Sequence, residues 1–142
     1  MKIAASLSMA LVLLTVGCRR SNELAEDKRV AARQAYNEGV TALESRQYAV
    51  ARDKLQEAIS TGAIYSGSIV DAKVRLAVAT AGAGDLETAS TQLSDLEQNA
   101  PELDLVFAAK AYVLAKQGKP AESRAALAKA RQYNRSVPEF KD

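Results

Sequence analysis

Cys18 is the only thiol in this chain of 142 residues, and there is no histidine. Those two facts set the chemistry that the side chains can perform. A thiol with no imidazole to deprotonate it lacks the base of a nucleophile–base pair. A single cysteine makes neither an intrachain disulfide nor a thiolate metal cluster. Without histidine the commonest general base and the commonest metal ligand are both missing. The 17 acidic residues are spread along the chain beside 19 basic ones, and no loop frames two carboxylates as a glycoside-cleaving pair would need. Gly82-Ala83-Gly84 is too short to cradle a phosphate and reads as a turn. We therefore expect no enzyme, no metal and no cofactor. What remains reactive is Cys18, a thiol that can take a covalent modification.

The position of Cys18 supports that reading. Lys2 precedes an apolar run over residues 3–17, which ends at Gly17 immediately before the cysteine. Spanning a bilayer takes about 20 apolar residues, so this run has the layout of a secretory signal. Leu14-Thr15-Val16-Gly17-Cys18 resembles the lipobox of bacterial lipoproteins. The resemblance implies a cleaved signal over residues 1–17, a diacylglycerol on the thiol and an N-acyl chain on the new N-terminus. Thr15 stands where leucine is commoner, and a plain secretory signal with an incidental cysteine is the alternative. Two or more acyl chains anchor stably where one does not. Arg19 follows the cysteine, whereas aspartate there is linked to retention in the inner membrane. The resemblance thus places the chain on the outer membrane, facing the periplasm. Residues 18–21 form a lipidated tether whose Arg19 and Arg20 can meet anionic head groups.

The rest of the chain must form the body that this anchor holds. Apolar residues make up 48% of the sequence but aromatic ones only 5%, so the core must be built from Ala, Leu and Val. That composition favours helix, and no stretch alternates as a half-buried strand would. The pattern of residues 70–103 occurs once before and once after. Gly84 to Gly118, Ala89 to Ser123 and Leu93 to Leu127 are each 34 residues, whereas Ala51 to Ala89 is 38, the period plus a four-residue insertion in the Gly/Ser-rich loop around residues 60–68. Each unit divides into two amphipathic helices. Ser68 is positioned as a helix N-cap with Asp71 behind it, Asp85 as a second cap, and Pro120 at a first helical position.

A helix–turn–helix unit of this period resembles the tetratricopeptide repeat (TPR). The three positions where the family keeps small residues hold Gly39, Ala51 and Ala58 in the first unit, Ala77, Ala89 and the larger Leu96 in the second, and Ala111, Ser123 and Ala130 in the third. Leu55, Leu93 and Leu127 fill its large apolar position. The family's tryptophan-like residue is missing from all three units, and Glu38 and Lys110 replace its usual leucine. The resemblance implies an all-α, right-handed α-solenoid of about three helix-turn-helix repeats, near residues 32–65, 70–103 and 104–137. The array would cover residues 22–137, with the extension over 22–31 capping its start and a polar tail over 138–142. A plain helical-hairpin bundle is the alternative. In the family the first helices line a concave groove. Carried over, this assigns Arg33, Tyr36, Asn37, Val40, Arg75, Val78 and Tyr112 to a protein-binding face, with Tyr36 and Tyr112 as anchors, since aromatic and Arg side chains favour hot spots. For Val40, Val78 and Leu43 the alternative is packing within the array.

Charge adds little about a partner. The mature chain carries about one net positive charge, which is no argument for nucleic acid. Residues 70–103 sum to −4 and residues 104–142 to +4, an asymmetry that suits head-to-tail self-association or the steering of a partner. The expectation is a membrane-anchored adaptor or scaffold of the bacterial cell envelope, taking a protein or peptide ligand in its groove. A pilotin-like assembly factor, escorting an outer-membrane, pilus or secretion component, is the alternative. Cys18→Ser is expected to abolish palmitate labelling and release the chain from membranes; a labelled, membrane-bound variant would show the anchor to lie elsewhere.

Overall fold

The computed structural model describes the backbone of residues 7–141 and the side chains of residues 22–65 and 67–141. The side chain of Cys18, where the lipid attachment is expected, therefore lies outside the described residues, as do residues 1–6 and all the side chains of the expected signal. The protein is all-α. Among the described residues six helices follow in order: α1 (Leu7–Glu44), α2 (Tyr48–Ser60), α3 (Ser66–Gly82), α4 (Leu86–Asn99), α5 (Asp104–Lys116) and α6 (Pro120–Tyr133). They pair as three hairpins, α1 with α2, α3 with α4 and α5 with α6. The first helix of each later hairpin packs on both helices of the one before it: α3 on α1 and α2, and α5 on α3 and α4.

The three hairpin turns are closed in the same way. The amides of Arg46, Gly84 and Gly118 donate to the carbonyls three residues back, at Leu43, Ala81 and Ala115. The next amides, of Gln47, Asp85 and Lys119, donate five residues back to Ala42, Thr80 and Leu114. This double bond is the Schellman motif, which satisfies the last carbonyls of a helix and needs a left-handed residue just past its end. That residue has φ +58° at Arg46, +100° at Gly84 and +74° at Gly118. Glycine adopts such angles without steric cost, so the second and third turns are legible from sequence, whereas Arg46 takes the same conformation despite its Cβ. Asp85 also caps α4, accepting from the Thr88 amide at 3.0 Å.

Stacking is tight because small residues meet large ones at each step. Leu55 and Leu93 are fully buried, together with Ala51, Ala58, Ala77 and Ala89. A Cβ on Gly39 would lie 2.7 Å from Leu55 Cγ, so Leu55 occupies the space that a side chain there would take. α3 sits between the other hairpins and buries an unbroken run from Leu76 to Ala81. The hydroxyl of Thr80 inside that run donates to the Leu76 carbonyl at 2.8 Å, so its burial leaves no donor unsatisfied. Leu127, which no later hairpin covers, is only half-buried.

Three local expectations are corrected. α3 begins at Ser66 with Tyr65 in the cap position and no side-chain cap, so Ser68 lies inside the first turn. Asp71, expected to support that cap, is drawn instead to partners on α1 and α3. The extension over residues 22–31 does not cap the array. Every one of those residues is exposed, and α1 projects beyond the hairpins as a single helix that also runs through residues 18–21, read from sequence as a tether. Helix geometry gives residues 22–31 a rise of about 15 Å. The segment after α6, whose last residues 138–142 read from sequence as a polar tail, folds back on the last hairpin as far as it is described, with Val137 buried against Phe107, Ala108 and Ala130 and Phe140 packed beside them.

The turn geometry yields a pair of opposite expectations for chemical denaturation. Gly84→Ala forces a Cβ into a left-handed turn and should cost about 1–2 kcal/mol. Arg46→Gly relieves the same strain and should raise stability by roughly 0.5–1 kcal/mol after the entropy of glycine is counted. Equal effects at the two positions would mean that the turns are not equivalent.

Candidate protein-binding groove

The first helices of the hairpins, α1, α3 and α5, are in serial contact, and the residues assigned to the groove lie along them. On α1, Arg33, Tyr36, Asn37 and Val40 are spaced three, one and three residues apart, which puts them on neighbouring ridges of one face. Arg33 and Asn37 are exposed, and Tyr36 and Val40 half-buried. On α3, Arg75 is half-buried and Val78 buried, and on α5 Tyr112 is buried at 5% exposure.

The polar members are held by one carboxylate. Asp71 on α3 accepts from the Tyr36 phenol of α1 and, on the same oxygen, from Arg75 Nε at 2.8 Å. Arg75 lies one turn beyond Asp71 on the same helix, so the ion pair is local and orients the acid toward α1. The arrangement ties the first hairpin to the second by a charge-assisted hydrogen bond in partly buried surroundings. Burial raises the Tyr36 phenol above its ordinary value of 10.0, and the hydrogen bond to Asp71 and its negative charge push in the same direction, against the Arg75 cation. Tyr36 and Arg75 were expected to offer their polar groups to a ligand; in the structure those groups are engaged with Asp71.

The assigned residues do not line one continuous slot. Arg33 and Tyr36 border a cavity of about 430 Å³ at the open end of the array, between α1 and the α2–α3 loop, together with Arg29, Gly62, Ala63, Ile64 and Tyr65. Tyr65 is 80% exposed at its mouth. Arg75, Val78 and Tyr112 border a second cavity, of about 270 Å³, with Leu43, Arg46 and Tyr48. Asn37 and Val40 border neither of these two. Val78 and Tyr112 belong to the central core cluster with Val74, Leu93, Val106 and Val113, and Leu43 packs on its edge. The aliphatic residues weighed as core packing are thus core in part, and Tyr112 joins them. Lys116 Nζ lies 5.3 Å from the Tyr112 ring centre and 5.9 Å from that of Tyr48, within cation–π range of both.

The second cavity contains residues that the groove assignment missed. Glu139, Phe140 and Lys141 of the C-terminal segment line it, and they also line a neighbouring cavity of about 270 Å³ with Ala108, Ala111, Tyr112 and Leu127. Phe140 packs against both the central and the terminal core clusters. One signal for this is present in the sequence. Val137 and Phe140 are the only large apolar residues after Tyr133, and Pro138 between them prevents a helix. Among the described residues no group of three or more His, Cys, Asp and Glu side chains is placed to hold a metal ion. No helix among them is long and apolar enough to cross a membrane.

Compared with protein-family models, with curated proteins and with solved structures, the chain matches none.

The Asp71 bridge sets a pH expectation. A phenol whose folded pKa is raised stabilises the fold fully below its unfolded value near 10, and that stability is lost as pH rises through the folded value. Tyr36→Phe should lower stability at neutral pH by about 1 kcal/mol and flatten the decline above pH 10 in alkaline denaturation. A variant that declines as steeply as the parent would show that Tyr36 does not report this bridge.

Proposed function

We propose that this protein is a lipid-anchored adaptor of the bacterial cell envelope, a short TPR-like solenoid that holds a segment of another protein against the face made by α1, α3 and α5. The observation that carries the reading is threefold repetition at two levels. The sequence repeats at a spacing of 34 residues, and each hairpin closes with the same pair of backbone hydrogen bonds. Repeated hairpins that stack only on their neighbours form extended surfaces, the usual means by which such arrays bind. The chain is poor in the side chains that catalysis needs, and the residues turned to the α1–α3–α5 face are mixed apolar, aromatic and arginine, a composition suited to peptide capture.

The anchor reading rests on Lys2, the apolar run and Cys18, as set out from the sequence, and it gives the projecting part of α1 a role. With the lipid at Cys18, residues 22–31 form a stalk that lifts the array about 15 Å from the bilayer surface. Leu24 and Val30 are exposed on that stalk, each more than half accessible. The outer membrane facing the periplasm is the location that Arg19 favours.

A photo-crosslinking residue placed at Asn37, exposed on the α1 face, should give a discrete adduct in intact envelopes. The same residue at Gln98, exposed on α4, should give none. Equal crosslinking at both positions, or at neither, would remove the face from consideration.

A further inference from the structure

The C-terminal segment is built to leave α6 and return across α5. Helix α6 ends at Tyr133, and Asn134 turns the chain: its side-chain oxygen accepts from the Ser136 amide at 3.0 Å, and its carbonyl accepts from the Val137 amide at 3.1 Å. The Asn134 amide group donates to Asp104 at the start of α5, at 2.9 Å. Val137 then buries itself beside Phe107, Ala108 and Ala130. From there the chain has no regular secondary structure, and Phe140 arrives beside Tyr112 and Val78 at the second cavity.

The two apolar contacts of the segment differ in kind. Val137 is buried at 7% exposure beside Phe107, Ala108 and Ala130 of the α5–α6 hairpin. Phe140 lies farther on, is only half-buried, and reaches the face assigned to a ligand. The ion pairs of its flanking residues lie at the surface: Glu139 bonds to Arg131, itself about half exposed, and lies 3.1 Å from the well-exposed Lys141. Exposed pairs of this type add about 0–1 kcal/mol each, so the main hold on this end of the segment is the half-buried packing of Phe140. The cavity that Phe140 borders still has about 270 Å³ of space, with Leu43, Val78, Tyr48 and Tyr112 among its lining beside the charged Glu44, Arg46 and Arg75, of which Arg75 is held by Asp71. Phe140 meets the apolar part of that lining, while the acid beside it, Glu139, is held by Arg131 and Lys141.

We propose that residues 139–141 are a resident occupant of the groove, and that the partner is a protein presenting an extended acidic–aromatic segment that displaces Phe140. This rests on the groove reading above and adds the chemistry of the ligand and the contact it must compete with. A tethered segment acts at an effective concentration on the order of millimolar, so the groove is closed to weak segments and open to those that match its own tail or exceed it.

The test uses the full chain in detergent and, as probe, a fluorescein-labelled synthetic peptide with the sequence of residues 134–142. Anisotropy should show the Phe140→Ala chain binding the peptide at least tenfold more tightly than the parent chain, and a peptide with alanine in place of its phenylalanine should not bind. Circular dichroism verifies that the variant keeps its helices. As a second measurement on the parent chain, excess peptide should speed amide exchange at residues 139–141 while exchange at Val137 stays unchanged. Equal binding to parent and variant, binding to neither, or unchanged exchange at residues 139–141 would overturn the proposal. So would a parent dimer in light scattering that becomes a monomer on Phe140→Ala, since the tail would then be exchanged between copies. An adduct at Asn37 that persists in any of these cases would leave the groove standing and remove only its resident occupant.

Discussion

Helix α3 is the constraint on which the other five helices depend. It touches α1, α2, α4 and α5, and over Leu76–Ala81 it gives none of its faces to water. Helices approach closely only where side chains are small, and α3 meets this with Ala72, Ala77, Ala79 and Ala81 among its buried residues. A helix this rich in alanine contributes modest apolar area per residue, at about 25 cal/mol for each Å² removed from water. Its stability therefore comes from contact on several sides, which requires both neighbouring hairpins. The first two hairpins each present a stripe that the following hairpin covers.

The ends of the stack are where that logic fails, and the chain resolves them differently. At the start, α1 runs on past the last contact with α2 and remains exposed, a helix sustained by its own backbone bonds and by surface pairs such as Arg29 with Glu26. At the other end, among the described residues, an irregular segment covers α5 and α6 with Val137 and Phe140. Lys129 lies 4.0 Å from the centre of the Phe107 ring, while Tyr133 stacks on the same ring at 6.0 Å, so this end is covered by aromatic and cationic side chains in place of a further helix.

Polar contacts between hairpins are few and specific. Asp71 receives Tyr36 across the first step. Glu97 on α4 receives Lys110 on α5 at 2.6 Å across the second, where Gln117 also donates to Ser90 at 2.9 Å. Each lies at the margin of an apolar contact, where solvent still reaches it. Such bonds fix the register and relative rotation of neighbouring hairpins more than they add to stability, because water competes for the same groups. Asp71 has a further consequence, since it takes up two side chains of the α1–α3–α5 face and leaves that face less polar than its sequence suggests.

Local signals in the sequence determined much of this protein. The helical class follows from composition, and the 34-residue spacing places the second and third turns. Gly84, Gly118 and Asp85 act as the chemistry of helix ends requires, because turns and caps are settled within a few residues. Arg46 was not legible as a turn residue, since only the closure of its hairpin forces the left-handed angle on it. Ser68 was misleading in the opposite direction: its sequence neighbours suit a cap, yet the cap position falls three residues earlier, at Tyr65. Among the groove residues, Val78 and Tyr112 share one sequence pattern with exposed Asn37, and only the approach of α5 and the returning tail decides which of them water reaches. Phe140 is the plainest case. Nothing within a few residues of it specifies a partner, because its contacts lie far away along the chain, and long-range burial exists only once the hairpins have stacked.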